Sequence, residues 1–106
     1  MDGAPVRTIR RVVLLLWVME EVKFRELLEQ NYTWPALYMF KFICPANNEA
    51  VAKLEQLFDP EVAELSLRPS SKGNYVSFTA KELMISVDAV IERYRLATDI
   101  PGLISL

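Results

Sequence analysis

Residues 62–84, VAELSLRPSSKGNYVSFTAKELM, decide the predicted fold. Apolar and polar side chains alternate from Val62 to Arg68 and again from Tyr75 to Met84, as in strands with one buried face. The residues between these runs, Pro69–Asn74, all favour turns. The stretch therefore predicts a β-hairpin. Its second strand carries Val76, Phe78 and Ala80 on one face, and Tyr75, Ser77, Thr79 and Lys81 on the other.

A strand and a helix are predicted upstream of the hairpin. Residues 36–43 are rich in aromatic and apolar side chains, which is typical of a buried strand. One face of this strand carries Tyr38, Phe40 and Phe42, and the other carries Met39, Lys41 and Ile43. A 3.6-residue apolar period then predicts a helix over 50–58, with an N-cap supplied by the loop 45–48 and an end at Asp59-Pro60.

The elements on either side complete the order β-α-β-β-α-β. Ser86 is a suitable N-cap for a helix whose apolar stripe runs from Val87 to Ala97, and residues 103–106 can form a short last strand. A short helix over 20–30 comes first. This order predicts an α+β, ferredoxin-like βαββαβ sandwich, in which two helices cover one face of a four-stranded antiparallel sheet. The other face must be polar, paired with another subunit or used for binding.

The composition argues against most enzyme and metal-site templates. The chain has 106 residues, a length typical of one domain, and a net charge of −2. It has no histidine and only three glycines, so histidine-based catalytic triads, histidine zinc sites and glycine-rich phosphate loops cannot be built. We expect no enzyme activity, no metal and no cofactor. Nucleic-acid binders usually carry a basic excess, so no nucleic-acid partner is expected.

The lone cysteine bears on the cellular compartment of the protein. Cys44 cannot form an intramolecular disulfide, which favours a reducing, cytoplasmic compartment. We expect it to be a buried, inert thiol, although the helix that starts nearby leaves a reactive thiolate as an alternative.

Residues 1–19 are predicted to be an extension of a domain over 20–106. Three arginines precede Val12–Met19, an apolar run too short to span a bilayer. A secretory signal is one interpretation, but no small-x-small cleavage site follows. A native start at Met19 is the other. Neither interpretation gives the protein a membrane span.

The hairpin also carries a family resemblance. Residues 68–75 (RPSSKGNY), residues 38–41 (YMFK) and residues 101–106 (PGLISL) resemble the small YbeD-like bacterial family. That family has a Lys/Arg-Pro-Ser-Ser-Lys-Gly-Xaa-Tyr signature in this hairpin, and the resemblance covers roughly residues 22–106. It implies a ferredoxin-like fold similar to ACT regulatory domains and no established role. A link to lipoate metabolism rests on gene neighbourhood in some members, which is association only.

Two candidate sites follow. The first is the hairpin loop with Arg68, Ser70, Ser71, Lys72, Gly73, Asn74 and Tyr75, where two cations flank hydroxyl groups and a glycine can expose backbone N–H groups to an anion. The same residues also suit an ordinary turn. The second is the open sheet face with Met39, Lys41, Ser77 and Thr79.

Three functional hypotheses remain open at the sequence level. The first is an ACT-like regulatory or ligand-binding module, a class that implies self-association as a homodimer. The second is a protein-interaction adaptor anchored by Trp17, Trp34 or Tyr75. The third is RNA binding, because RRM domains share this order of strands and helices. Exchanged strand faces would strengthen it, since Phe40 and Phe78 would then be exposed.

Overall fold

The computed structural model describes residues 19–106 and divides the chain into two units, Met1–Thr33 and Trp34–Leu106. In the first unit, residues 19–31 are helical and are called α1 here. The helix predicted over 20–30 is therefore confirmed. The predictions made for residues 1–18, including the signal, the extension and an anchoring role for Trp17, lie outside the described residues.

The second unit contains the predicted β-α-β-β-α-β order. Its elements are β1 (Ala36–Pro45), α2 (Asn48–Glu55), β2 (Ala63–Pro69), β3 (Tyr75–Met84), α3 (Val87–Ala97) and β4 (Ile104–Ser105). The helix predicted to reach Phe58 ends earlier. The N–H groups of Leu57 and Phe58 bond to carbonyls three residues back, those of Leu54 and Glu55. This tighter geometry is common in the last turn of a helix.

The four strands form one antiparallel sheet in the order β2-β3-β1-β4. The long central pair is β1 with β3, where Phe42 faces Phe78 and Lys41 faces Thr79. This order, with each helix crossing over between non-adjacent strands, is the ferredoxin-like arrangement. The predicted fold class is therefore confirmed.

Both helices of this unit are capped where predicted, α3 by Ser86 and α2 by Asn47 within the loop 45–48. The Asn47 side chain accepts a hydrogen bond from the Ala50 N–H at 2.8 Å, and Ser86 Oγ accepts one from the Ala89 N–H at 3.1 Å. Each cap satisfies an N–H group that the helix itself leaves without a partner, which stabilises a helix by about 1 kcal/mol.

The core lies on one face of the sheet. Phe40 and Phe42 are fully buried and Phe78 is nearly so. The ring centroid of Phe40 lies 5.3 Å from that of Phe58, which follows α2, and 5.3 Å from that of Tyr94 on α3. Because both helical segments contact the same strand residue, they cover the same face. The predicted strand faces are thus confirmed, and the condition that would favour RNA binding is not met.

An ion pair on the covered face was not predicted. Glu82 lies on the covered face, where a carboxylate needs a partner. Both oxygens of Glu82 accept hydrogen bonds from the Arg93 guanidinium at 2.9 Å, and the Glu82 side chain is only 13% exposed. The register explains this position, because Glu82 faces Tyr38 and therefore points towards the helices. The Arg93 guanidinium also lies 4.8 Å from the centroid of the Phe58 ring.

Candidate functional site

The uncovered face of the sheet is a grid of three long strands. Antiparallel partners point to the same side of a sheet, so the register fixes the rows of this grid. One row holds Glu64, Lys81 and Met39, the next Ser66, Thr79 and Lys41, and the next Arg68, Ser77 and Ile43. Three of the four residues predicted for the open face, Lys41, Ser77 and Thr79, therefore lie side by side.

The centre of this face is an open cavity of about 350 Å³. We call it the face cavity. All seven of its lining residues are polar or charged: Lys41, Glu64, Ser66, Arg68, Ser77, Thr79 and Lys81. A polar cavity on a sheet face is suited to a ligand that makes hydrogen bonds and ion pairs rather than to one that fills a dry apolar pocket.

Positive charge predominates in the face cavity. Three cations, Lys41, Arg68 and Lys81, line it with one carboxylate, Glu64. Thr79 is central: Lys41 faces it across β1, Lys81 is two residues along its own strand, and Arg68 is on the diagonal, where Cα atoms are about 7–8 Å apart. All three cationic side chains can therefore reach an anion placed above the Thr79 hydroxyl.

The charged groups of the face cavity do not neutralise one another through close contacts. Among residues 19–106, none of the four forms an ion pair, although Glu64 and Lys81 face each other across β2 and β3. An incoming anion therefore does not have to displace an internal carboxylate, and the excess of three cations over one carboxylate favours anion binding.

Apolar residues border the face cavity at both ends. Leu37 and Leu83 face each other beyond the row of Met39, and both are exposed. Ile104 of β4 faces Ile43 at the other end. Met39, the fourth residue predicted for this face, is 44% exposed and borders the cavity without lining it.

The hairpin loop is shorter than predicted. Arg68 and Pro69 belong to β2, so Arg68 faces Ser77 in the face cavity rather than the turn. Pro69 was interpreted as the start of the turn, but an edge strand accommodates proline where its missing N–H would point away from the sheet. Tyr75 begins β3, as predicted, and is 47% exposed.

The turn itself, residues 70–74, uses Ser70 to close the hairpin. The Ser70 N–H donates to the Tyr75 carbonyl at 2.8 Å, and its Oγ accepts from the Tyr75 N–H at 3.2 Å. The Gly73 N–H donates to the Ser70 carbonyl at 3.0 Å, with Gly73 at φ 78°, a conformation that favours glycine. Three N–H groups of the predicted anion-binding loop, those of Ser70, Gly73 and Tyr75, are thus used to close the hairpin. Ser71, Lys72 and Asn74 remain exposed.

Three lining residues, Glu64, Ser66 and Lys81, were missing from the predicted sites, although Lys81 was expected on the same strand face as Ser77 and Thr79. Glu64 and Ser66 alternate with Leu65 and Leu67 along β2, and the same alternation places them beside Arg68. This alternation is visible in the sequence. Only the sheet order, with β2 next to β3, shows that these residues join Ser77, Thr79 and Lys81.

Cys44 lies on the covered face and is fully buried. Burial in apolar surroundings raises the pKa of the Cys44 thiol, because the charged thiolate is poorly solvated there. The predicted buried, inert thiol is therefore favoured over the reactive thiolate, which would need a lowered pKa and access to solvent.

The described part of the chain also limits other site types. In residues 19–106, no group of three or more cysteine, aspartate or glutamate side chains is placed to hold a metal ion. No helix in that range combines the length and the apolar character that crossing a bilayer requires.

Comparison with known proteins gives one match. The model of a family described as "Protein of unknown function (DUF493)" matches residues 29–105, more than two thirds of the chain. No curated protein and no solved structure matches it. The matched range contains the whole βαββαβ unit, including every residue that lines the face cavity. The chain therefore belongs to the DUF493 family, the YbeD family whose signature its hairpin carries.

Proposed function

We propose that this protein is a non-catalytic binding module whose face cavity holds a small anionic ligand. The observation that carries the proposal is the group of three cations, Lys41, Arg68 and Lys81, around Thr79. Carboxylate and phosphate groups are the natural partners of such a group, because charge-assisted hydrogen bonds are about twice as strong as neutral ones.

The chemistry of each lining residue supports this assignment. Arg68 can bind two oxygens of a carboxylate or phosphate side by side, whereas Lys41 and Lys81 each supply a point charge. The hydroxyl groups of Ser66, Ser77 and Thr79 can donate further hydrogen bonds. Glu64, at one margin, would favour a ligand that carries a donor or a positive group beside its anionic group.

The test is thermal melting of the full chain with phosphate, citrate, nucleotides, amino acids and lipoate. A ligand that binds only the native state raises the melting temperature, and a concentration of 100 times its Kd stabilises by about 2.7 kcal/mol. We expect Lys41→Met to abolish the shift. Lys53→Met is the matched control, because Lys53 is an exposed lysine on α2, where it pairs with Glu49. If none of these anions stabilises the wild-type protein, the proposal is wrong.

The turn at residues 70–74 supports a second, smaller contact within the same function. Lys72 and Ser71 are exposed and belong to the family signature, whereas closing the turn requires only Ser70 and Gly73. We expect Lys72→Ala to weaken the same ligand less than Lys41→Met does. An equal loss in both variants would place the ligand at the turn instead.

We further propose that binding of the anion has a regulatory role. The ferredoxin-like order of the strands supports the similarity to ACT domains. In a module of that kind, ligand binding changes the activity of a partner protein. The exposed apolar borders of the open face, with Leu37 and Leu83 at one end, favour a protein contact there. If the adaptor function is the main one, Leu37→Ser with Leu83→Ser should abolish recovery of one stoichiometric partner, whereas Lys41→Met should not.

A further inference from the structure

The outer side of β2 is the longer of the two edges of the sheet. The order β2-β3-β1-β4 leaves β2 and β4 at the edges, and β2 has seven residues whereas β4 has two. In residues 34–106, no strand pairs with the outer side of β2. A strand edge of this kind offers a row of backbone N–H and C=O groups to another strand.

The hydrogen bonds of the turn show which β2 groups point outward. The Ser70 N–H donates to the Tyr75 carbonyl, in continuation of the β2–β3 register. Hydrogen-bonded and non-hydrogen-bonded positions alternate in an antiparallel ladder, so the backbones of Arg68, Ser66 and Glu64 point towards β3. Those of Leu67 and Leu65 therefore point outward, away from the sheet. Pro69 has the same orientation, so its missing N–H costs no bond to β3.

The bond from the Ala46 N–H to the Asn74 carbonyl at 3.0 Å gives the same assignment independently. It shows that even-numbered residues of β3 bond to β1, which leaves the odd-numbered residues Ser77, Thr79 and Lys81 to bond to β2. These three face Arg68, Ser66 and Glu64.

We propose that two copies of this chain pair antiparallel through their β2 strands, about a two-fold axis at Ser66. The sequence Glu64-Leu65-Ser66-Leu67-Arg68 is complementary to itself in this register. Glu64 faces Arg68 of the partner subunit on the open face, and Leu65 faces Leu67 of the partner subunit on the covered face. A two-fold interface repeats each contact, so the Glu64–Arg68 pair occurs twice and all four charges have a partner.

The outward direction of the Leu65 and Leu67 backbone groups decides which pairs of the dimer are hydrogen-bonded. Leu65 and Leu67 point outward, so they exchange hydrogen bonds with Leu67 and Leu65 of the partner subunit. Glu64 and Arg68 then occupy non-hydrogen-bonded positions, where Cα atoms are about 4.5 Å apart and side chains are closest. Opposite charges at such positions stabilise the pairing, and like charges destabilise it. With the axis at Leu67 instead, Arg68 would face Ser66 and the charge pairing would be lost.

The pairing also completes the face cavity. Glu64 lies at its β2 margin, and Arg68 of the partner subunit would lie beside that carboxylate and neutralise it. Arg68 of each chain would in turn lie beside Glu64 of the partner subunit, so Lys41 and Lys81 would remain the uncompensated cations of each cavity. The dimer itself does not depend on the proposed ligand, so a test of association separates the two proposals.

The first test is charge reversal, measured by sedimentation equilibrium of the full chain. We expect the wild-type mass to approach twice the 12.2 kDa of one chain at high concentration. Glu64→Arg and Arg68→Glu each place like charges opposite each other at both symmetric positions, and each should raise the dissociation constant at least about tenfold. The double variant Glu64→Arg/Arg68→Glu restores opposite charges and should recover the wild-type constant. Glu55→Arg, at an exposed position on α2, is the control.

The second test uses the wild-type chain, so it does not depend on whether a variant folds. Hydrogen exchange at the N–H groups of Leu65 and Leu67 should be slow in the dimer and become fast on dilution, whereas that at Ser66 and Arg68 should stay slow. A chain that is monomeric at all concentrations would overturn the proposal. So would a dimer with unprotected Leu65 and Leu67, or a folded double variant that fails to associate.

Discussion

The two faces of the sheet come from the same strands but have opposite chemistry. Along β1, the even-numbered residues Phe40, Phe42 and Cys44 are fully buried, whereas their neighbours Met39 and Lys41 are exposed. Both sets of residues have the same extended backbone and belong to the same hydrogen-bonded strand. The difference therefore comes from the cover that α2 and α3 provide, which makes one face responsible for stability and leaves the other available for binding.

The largest expected effect comes from breaking the covered face. Phe42→Ala removes a fully buried ring between Phe58 and Phe78, and we expect the free energy of unfolding to fall by about 3–5 kcal/mol. Met39→Ala, on the exposed side of the same strand, should cost less than about 1 kcal/mol. Urea denaturation of both variants measures the difference, and similar losses would contradict the division into two faces.

A second prediction compares the same residue type on the two faces. Glu82→Ala leaves the Arg93 guanidinium without its carboxylate at a position only 19% exposed, and should cost about 2 kcal/mol. Glu64→Ala, in the open face cavity, should change the stability of the monomer, measured at low protein concentration, by no more than about 0.5 kcal/mol. Thermal melting of the two variants at neutral pH tests this, and an equal cost would show that Glu82 is as well solvated as Glu64.

A smaller, pH-dependent effect is expected from Cys44. Burial raises the pKa of its thiol above the ordinary value of 9.0, so above that pH the native state keeps a proton that the unfolded chain has lost. The native state then binds more protons, and stability falls as the pH rises. The wild-type protein should therefore lose stability above pH 9 more steeply than Cys44→Ala. Parallel slopes in urea denaturation across that range would rule out the effect.

The smallest expected effect lies at the centre of the open face. Lys41→Thr removes one of three neighbouring cations and places a threonine opposite Thr79, so stability should stay within about 0.5 kcal/mol or rise slightly. Ligand-induced stabilisation by anions should nevertheless disappear. A large loss of stability without ligand would show that Lys41 has a structural role, and that the open face is not free of such constraints.

The sequence predicted the faces well because strand alternation is local. Tyr38, Phe40 and Phe42 on one side of β1, and the caps Asn47 and Ser86, needed no knowledge of tertiary contacts. The order of the strands followed from the short connections between elements and the handedness of crossovers. Strand alternation, helix caps and short connections each involve residues close together in the chain, so they can be recognised in one sequence.

What could not be predicted depends on contacts between distant elements. The alternation that buries Phe78 and Ala80 also directs Glu82 towards the helices, but nothing in the sequence shows that Arg93 of α3 lies there to pair with it. Arg68 was grouped with the hairpin loop as a candidate anion contact, whereas the pairing of β2 with β3 places it opposite Ser77 in the face cavity. Pro69 was predicted to be in the turn, but the edge position of β2 makes a proline acceptable in that strand. The face cavity was only partly predicted for the same reason, since Glu64 and Ser66 join it through strand pairing.

The burial of the single cysteine has a practical consequence for labelling. Because Cys44 is enclosed in the native protein, a maleimide reagent should leave it unmodified, and no native thiol has to be removed first. A cysteine introduced at Ser66 would then be the one site that takes a fluorophore or a spin label. At that position the label would report ligand entry by its emission, and in a two-fold pair two spin labels would lie close enough to broaden each other's spectra.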